Sequence, residues 1–264
     1  MQNSRQSVDV ARIGGKLYRI RKYGYMDYKD IKILYEDNHI LVVVKPFNVP
    51  VQADESGDPD MLTLLKKYLV ETYNKPGDAY LGLVHRLDRP TGGVMVFAKT
   101  SKAASRLSQA IRDGEVEKKY LTVVEGAPRF KSDKLRCWLK KFPEQNMVKM
   151  VPALTEGAKY AELDYKQLEH NDKNNLSLLS VNLITGRGHQ IRVQMAANGT
   201  PVLGDARYGR GERLKLPLAL WAAELRFAHP VGGKQMDFRV YPPDAVPWNL
   251  FDIEQYLGIN IKNS

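Results

Sequence analysis

One short stretch of the sequence carries much of its potential for catalysis: His85-Arg86-Leu87-Asp88-Arg89-Pro90-Thr91-Gly92-Gly93. Its carboxylate, Asp88, can act as a nucleophile or as a general base. Pro90 keeps the residue before it out of the helical region, and Gly92 and Gly93 can adopt backbone conformations that other residues avoid. The pattern predicts a bend that fixes Asp88, although the same residue types also form ordinary turns in which the carboxylate binds nearby amides.

The elements around this stretch follow from the periodicity of apolar residues. Apolar runs at 81–84 and 94–98 predict a two-stranded arch with Asp88 near its bend. Helices are expected at 59–73 with Asp58 as its cap, between Thr100 or Ser101 and Gly114, and at 189–198. Further strands are expected at 40–44, 120–124, 135–139, 160–168, 176–184 and 236–240.

Many strands, few helices and hairpin-like connections predict an α+β fold around a mixed, mostly antiparallel β-sheet with flanking helices and loops. We expect a single catalytic domain over residues 30–248, a basic arm over 1–29 and a C-terminal tail over 249–264. At 264 residues with 43% hydrophobic content, the chain can build a sizeable core.

The charge balance points to an acidic partner. The chain has 40 Lys and Arg against 30 Asp and Glu, a net charge of +10. Its pI near 9.5 favours nucleic acid first and an anionic membrane surface second. Charge alone does not decide between them.

Several other classes are disfavoured. No run reaches the ~18 apolar residues of a membrane span, and Asp9, Arg12 and Lys16 interrupt any signal-peptide core. Cys137 is the single cysteine, which excludes an internal disulfide and fits a reducing compartment. We therefore predict a cytoplasmic protein, and a monomer as the simplest assembly. The histidines lack ligand spacing, so no metal is expected.

Two segments concentrate positive charge. Residues 1–29 hold seven Lys or Arg and two Asp, a net +5, interleaved with Tyr18, Tyr23, Tyr25 and Tyr28. Such an arm suits contact with phosphates and bases, and equally a segment that folds back on the domain. The second segment, between 129 and 149, forms a phosphate-tracking surface only if one face of a hairpin collects its cations: Arg129, Lys131, Lys134, Arg136, Lys140, Lys141 and Lys149.

Three segments, in order, resemble the motifs of one enzyme family. The stretch at 85–92 is similar to the active-site motif of the RluA family of RNA pseudouridine synthases, in which the Asp is indispensable. Residues 116–126 resemble the family's Lys-x-Tyr segment, and 185–193 resemble its Thr-Gly-Arg-x-His-Gln-Ile-Arg segment. The similarity runs from about Ile31 to Pro243 and implies the pseudouridine synthase fold. The sequence departs from the family's usual pattern at Phe47-Asn48, Gly93 and Gln194.

The resemblance implies an isomerase that converts uridine to pseudouridine without a cofactor or metal. Asp88 would be the catalytic carboxylate, attacking the anomeric carbon or the base, or removing the ribose 2′ proton. Tyr120 would stack on the uracil, and its phenol could exchange a proton at carbon 5. Arg192 would pair with Asp88 and keep it charged.

Further residues are candidates for binding the substrate. Arg86 and Arg89 could hold the phosphates beside the flipped nucleotide, and His85 could contact RNA or cap a strand. Candidate pocket walls are Ile191, Val193 and Leu225.

Two alternatives remain open on the sequence. One is a non-catalytic RNA-binding protein of the same fold, and the other is a glycosidase or hydrolase that pairs Asp88 with a second acid such as Asp205 or Asp37. One protein sequence does not show whether the RNA substrate is ribosomal or transfer RNA.

Overall fold

The computed structural model describes residues 8–13, 16–21, 26–210 and 216–258. The strands are β1 (Val8–Ile13), β2 (Lys16–Arg21), β3 (Lys32–Glu36), β4 (Ile40–Lys45), β5 (Gly82–Leu83), β6 (Gly92–Ala98), β7 (Glu117–Glu125), β8 (Ser132–Phe142), β9 (Met147–Val151), β10 (Lys159–Asn171), β11 (Leu176–Leu183), β12 (Leu220–Ala228) and β13 (Gln235–Arg239). The α-helices are α1 (Met61–Tyr73), α2 (Ser101–Asp113), α3 (Gln190–Ala197) and α4 (Ile253–Leu257). Short 3-10 helices lie at Tyr28–Asp30, Pro143–Gln145 and Trp248–Leu250.

Eleven of the described strands form one sheet, in the order β3-β4-β6-β12-β7-β11-β10-β8-β9, with β5 added to β6 and β13 to β12. Among the described pairings only β6 with β12 is parallel. The predicted mixed, mostly antiparallel sheet is therefore confirmed. Strands β1 and β2 pair with each other in a separate two-stranded sheet.

The centre of the sheet is apolar on both faces. Strands β4 (ILVVVK) and β6 (GGVMVFA) are buried along almost their whole length, which explains their continuous apolar runs. Helix α2 packs beside β6, capped at its start by Thr100 and ended by Gly114 in the left-handed conformation. Both ends agree with the prediction.

Helix α1 begins two residues later than the sequence suggested. Its N-cap is Asp60, whose carboxylate accepts a hydrogen bond of 3.1 Å from the Thr63 amide. The prediction of Asp58 as the cap is wrong: Asp58 lies two residues before the observed cap, and its carboxylate forms an ion pair with Arg89. The helix ends at Asn74, which adopts the left-handed conformation.

The arch predicted around Asp88 is present. Strands β5 and β6 pair antiparallel, with Gly82 opposite Ala98 and Leu83 opposite Phe97, and the connection between them carries Asp88. Helix α3 packs beside β8 and β9.

Segments near both ends of the described chain pack against the domain. Tyr28, from the basic arm, donates a 2.6 Å hydrogen bond to Glu71 of α1, and the Lys67 ammonium lies 5.3 Å from its ring centre. The side chains of the other arm tyrosines lie outside the described residues. Towards the C-terminus, Phe251 and helix α4 are buried against the core. No described helix has both the length and the apolar character needed to cross a membrane.

Candidate active site

A buried lysine, Lys45, forms hydrogen bonds to the backbone of the bend that carries Asp88. The amide of Thr91 donates to the Asp88 carbonyl at 2.9 Å and closes the turn. The ammonium of Lys45, fully buried, donates to the carbonyls of Pro46, Arg89 and Thr91 at 3.0, 2.9 and 2.7 Å. Burial lowers the pKa of Lys45 to about 7, although the charge of Asp88 opposes this effect. Both sides of the turn are thus tied to one side chain.

The glycines after the bend allow two strands to approach closely. Gly93 has a φ of +121°, and a Cβ placed there would lie 2.3 Å from the carbonyl oxygen of Ala222 in β12. A Cβ on Gly92 would lie 2.4 Å from the ring of Trp221. The Gly-Gly pair therefore permits the parallel contact between β6 and β12.

Arg192, on helix α3, contacts two carboxylates. Its Nη1 lies 3.3 Å from Oδ2 of Asp88, and its Nε and Nη2 each donate to Asp205 at 2.7 Å. The side chains of Arg192 and Asp205 are 4% and 0% exposed, whereas that of Asp88 is 24% exposed. Burial would lower the pKa of Arg192, but the hydrogen bonds and charge of Asp205, with a contribution from Asp88, raise it overall. The guanidinium therefore stays charged beside Asp88.

His189 and Tyr208 extend this cluster. The Nε2 atom of His189 lies 3.9 Å from Oδ2 of Asp88, and its Nδ1 lies 2.7 Å from the Tyr208 hydroxyl. The Tyr208 ring lies under the Arg192 guanidinium, with 5.1 Å between the ring centre and Cζ. Burial lowers the pKa of His189, which favours the neutral imidazole, although the charge of Asp88 opposes this effect.

Tyr120 lies on β7, separated from β6 in the sheet by β12. Its side chain is buried, and burial together with the charge of Asp88 raises the pKa of the phenol well above its usual value. The phenol therefore stays protonated at neutral pH. Tyr120 thus lies within electrostatic reach of Asp88, which Arg192 contacts directly, and the three residues come from distant parts of the chain.

Lys118 is on the same strand, two residues before Tyr120, and therefore on the same face of the sheet. Its Nζ lies 3.4 Å from the position that a Cβ on Gly186 would occupy. Burial lowers its pKa, and within the described part of the chain no carboxylate lies within ion-pair distance of it. Burial lowers the pKa of His85 to about 3, and the charge of Lys118 contributes to this lowering.

The three residues proposed to bind phosphate or RNA lie in different surroundings. Arg86 is exposed. Arg89 is held by its own domain: it forms ion pairs with Asp54 and Asp58. His85 accepts a 3.1 Å hydrogen bond from the amide of Val96, so its imidazole ties the bend to β6. Of these three residues, Arg86 is the most exposed, and Arg89 is partly exposed within its ion pairs, with a side chain 38% exposed.

The three predicted pocket residues are buried. Ile191 and Leu225 belong to the main core at 4% and 1% exposure. Val193 belongs to a small cluster under the β8–β9 hairpin, with Leu139, Val148 and Ala161. Their surroundings are those of packing residues, and a role in the pocket stays a prediction.

Four cations of the second basic segment share one face of the β8–β9 hairpin. Lys134, Arg136 and Lys140 occupy alternate positions of β8 and therefore point to one side. Lys149 pairs with Lys140 across the hairpin and joins them, and its ammonium lies 5.2 Å from the ring centre of Phe142. We call Lys134, Arg136, Lys140 and Lys149 the basic hairpin face. Lys141 points to the other side.

Sequence reasoning missed several residues of the site. The sequence suggested Asp205 only as a second acid of a hydrolase, and it gave no role to Lys45. His189 carried one signal, since it lies three residues before Arg192 on the same predicted helix face. Among the described residues, no group of three or more His, Cys, Asp or Glu is placed to hold a metal ion.

The arrangement can do a limited range of chemistry. It presents a carboxylate beside the Arg192 guanidinium, with a phenol and an imidazole whose burial shifts their pKa values towards the neutral forms. The second acid required by the hydrolase alternative is not available in Asp205, because both its oxygens are bound to Arg192. Asp37 is bound to His229 at 2.9 Å and to the amides of His39 and Ile40.

Known proteins similar to the chain agree on one class. A family described as RNA pseudouridylate synthase matches residues 39–197. The uncharacterized RNA pseudouridine synthase YhcT of Bacillus subtilis is 35% identical over 214 residues, 78% of this chain and 66% of that protein. Ribosomal large subunit pseudouridine synthase D of Zymomonas mobilis is 34% identical over 226 residues, 81% of this chain and 69% of that protein. The chain thus spans about two thirds of the length of these two relatives.

Another relative is covered more completely. The dual-specificity RNA pseudouridine synthase RluA of Salmonella typhimurium is 34% identical over 217 residues, 79% of this chain and 91% of that protein. The fold is similar to the solved structure of human RNA pseudouridylate synthase domain containing 4, with a TM-score of 0.67 at 22% identity over 80% of this chain and 88% of that one.

Proposed function

The chain belongs to the RNA pseudouridylate synthase family, and from this premise we propose that it isomerises specific uridines of a structured RNA to pseudouridine with Asp88 as the catalytic carboxylate. The observation that supports this role is the 3.3 Å contact between Arg192 and Asp88 in a site that also contains the buried Tyr120. Family membership favours the isomerase over the non-catalytic RNA-binding alternative.

The reaction breaks the bond between ribose and the base nitrogen, turns the base over and joins the sugar to carbon 5. Asp88 supplies the negative charge that this requires, either as a nucleophile or as the base that removes the ribose 2′ proton. Arg192 keeps the carboxylate charged and fixes its orientation, while Asp205 fixes Arg192. Tyr120 offers a ring on which the detached uracil stacks.

Access to a base in a folded RNA requires that the nucleotide leave its stack. The net charge of +10 and the basic hairpin face supply attraction to phosphates on the way to the site. Arg86, exposed beside Asp88, is placed for the phosphate next to the flipped nucleotide. Arg89 holds the loop around Asp54 and Asp58 through its ion pairs, and its side chain, 38% exposed, keeps its proposed role at a neighbouring phosphate.

The substrate is ribosomal or transfer RNA on this proposal, because relatives of the chain are named as ribosomal large subunit and dual-specificity RNA pseudouridine synthases. We further propose that the protein acts as a monomer in the cytoplasm, where these RNAs are found. Light scattering on the purified protein, with a mass near 30.0 kDa for a monomer, checks the assembly.

The test compares wild type with Asp88→Asn on RNA from a strain that lacks the protein, with pseudouridine mapped at single-base resolution. Wild type should create pseudouridine at a defined site, and Asp88→Asn should bind the same RNA but leave it unmodified. Asp78→Asn is the matched control, because Asp78 lies on the surface in an ion pair with Lys66 and should convert RNA like wild type.

Three results contradict the proposal. Turnover by Asp88→Asn near that of wild type would remove Asp88 from the chemistry. An unchanged pseudouridine map with wild type would favour the non-catalytic alternative. Release of free uracil or a free sugar end would instead identify a glycosidase.

A further inference from the structure

Two side chains of the site remain partly open to solvent, and they face one another. Those of Asp88 and His189 are 24% and 17% exposed, whereas those of Arg192 and Asp205 are closed off at 4% and 0%. The Nε2 atom of His189 lies 3.9 Å from Oδ2 of Asp88, too far for a direct hydrogen bond. A nucleotide that enters the site therefore meets this carboxylate and this imidazole edge together.

The hydrogen bonds around Tyr208 favour one of the two neutral tautomers of His189. The amide of Val148 donates to the Tyr208 oxygen at 2.9 Å, which leaves the phenol's own hydrogen for another acceptor. The atom within reach is Nδ1 of His189, at 2.7 Å. In the neutral imidazole the proton then resides on Nε2, the atom that faces Asp88.

The backbone holds His189 in a conformation that has a cost. Its φ is +53°, in the left-handed region that only a few per cent of non-glycine residues adopt, with Asn, Asp and His the most frequent among them. The residue immediately precedes helix α3, which also carries Arg192. Strain of this kind is often found where a side chain must be presented in a fixed direction.

We propose that His189 binds the ribose 2′-hydroxyl of the target uridine, an inference that rests on the proposed function. In that reaction the bond broken is at the anomeric carbon, which must lie beside Asp88. The hydroxyl on the neighbouring ribose carbon is the 2′-hydroxyl. A hydroxyl both donates and accepts, so it can donate to the Asp88 carboxylate while it accepts from the Nε2–H of His189.

This contact gives the site a means of distinguishing RNA from DNA at the target nucleotide, because the 2′-hydroxyl is the group that differs between them. A site that is built around a hydroxyl discriminates against an analogue that lacks it, since the protein donor is then left without an acceptor. His189 is in this sense a specificity-determining residue.

The variant that isolates the contact is His189→Asn. Asparagine tolerates the left-handed backbone, so the fold should be preserved. Its short amide can take the place of Nδ1 beside Tyr208, but it does not reach the position of Nε2. His189→Gln is the companion variant, since its longer amide can place a donor near the position of Nε2.

The experiment compares three proteins, namely wild type, His189→Asn and His189→Gln, on two substrates. The substrates are the RNA segment around the uridine mapped for wild type, made with uridine or with 2′-deoxyuridine at that one position. Single-turnover kcat/KM and Kd are measured for each pair. His189→Asn should lose about tenfold on the uridine substrate, the size of one hydrogen bond to substrate, and almost nothing on the deoxyuridine substrate. His189→Gln should recover part of the loss.

Equal losses on the two substrates would overturn the inference, because the imidazole would then act elsewhere, for example on a uracil carbonyl. Nitrogen NMR of the free protein gives a second readout that needs no RNA: it should show the Nε2–H tautomer of His189, and the Nδ1–H tautomer would contradict the proposal. Failure of wild type to convert any uridine would remove the proposed function itself, and this inference with it.

Discussion

Arg192 is bound more tightly by Asp205 than by Asp88. Its Nε and Nη2 reach Asp205 at 2.7 Å each, in the bidentate geometry that suits a guanidinium and a carboxylate, whereas Nη1 reaches Asp88 at 3.3 Å. Asp205 therefore anchors the arginine. Asp88 receives one hydrogen bond from it, at Oδ2.

Asp205→Asn should destabilise the protein by about 3 kcal/mol, because it leaves a buried guanidinium without its main counterion. Turnover should fall by at least about tenfold as Arg192 loses its fixed orientation beside Asp88. Urea unfolding and the rate of pseudouridine formation measure the two effects. Asp237→Asn, at a half-exposed ion pair with Arg239, is the control, and a similar loss there would contradict the anchoring role.

Lys45→Met should remove the support of the bend. It deletes the donor to three carbonyls while keeping most of the side-chain volume, and the unsatisfied carbonyls should lower the free energy of unfolding by about 2–4 kcal/mol. Turnover should fall because the Asp88 turn is no longer fixed. Lys66→Met on the surface of α1 should change neither quantity appreciably. A fully active Lys45→Met would show that the turn holds itself.

Tyr120→Phe and Tyr120→Ala separate the ring from the hydroxyl. Because the raised pKa keeps the phenol protonated, we expect the ring to contribute more than proton transfer. Phenylalanine should retain turnover within about tenfold of wild type, whereas alanine should lose about a hundredfold through lost stacking and lost packing. Single-turnover rates measure both. A Phe variant as inactive as the Ala variant would assign the essential step to the hydroxyl.

Glu36→Gln should change how stability depends on pH. Burial would raise the pKa of Glu36, but hydrogen bonds from Lys99, Tyr68 and Tyr73 lower it overall. A carboxylate with a lowered folded-state pKa stabilises the protein above its unfolded pKa, near 4.5, and this contribution is lost as the pH falls through the folded value. Wild type should therefore lose stability below about pH 4.5 more steeply than the variant.

At neutral pH the free energy of unfolding of the same variant should fall by about 2–3 kcal/mol, because Lys99, whose side chain is 10% exposed, loses its counterion. Thermal or urea unfolding at a series of pH values measures both effects. Glu117→Gln, at a largely exposed position, should follow wild type. Parallel curves for Glu36→Gln and wild type would show that Glu36 does not titrate differently on folding.

The sequence predicted the bend and strands such as β4, β6, β10 and β11 because their signals are local, whereas the central strand β12 was not among the predicted strands. Alternating or continuous apolar runs and Gly or Pro at the ends mark an element without knowledge of the rest of the chain. The cap of α1 shows the limit of such signals: Asp58 and Asp60 are both suitable by residue type, and in the structure Asp60 caps the helix while Asp58 pairs with Arg89, which is distant in sequence.

The site was only partly predictable for the same reason. Asp88, Tyr120 and Arg192 were proposed from resemblance, but the partner of Arg192 could not be, since a carboxylate thirteen positions later on a loop is not marked by any periodicity. The basic hairpin face depended on strand register, which the structure alone supplied. Residues that hold a reactive group in place are recognised by their contacts in the folded protein, and these contacts cannot be read from the sequence alone.

The parallel pairing of Gly93 in β6 with Ala222 in β12 joins parts of the chain that are synthesised far apart. Strand β7, which carries Tyr120, lies on the far side of β12. A nascent chain that has emerged only as far as α3 already contains Asp88, Tyr120 and Arg192, yet it lacks the strand that separates β6 from β7. Catalytic competence should therefore appear late in translation, after β12 has been inserted between two strands made long before it.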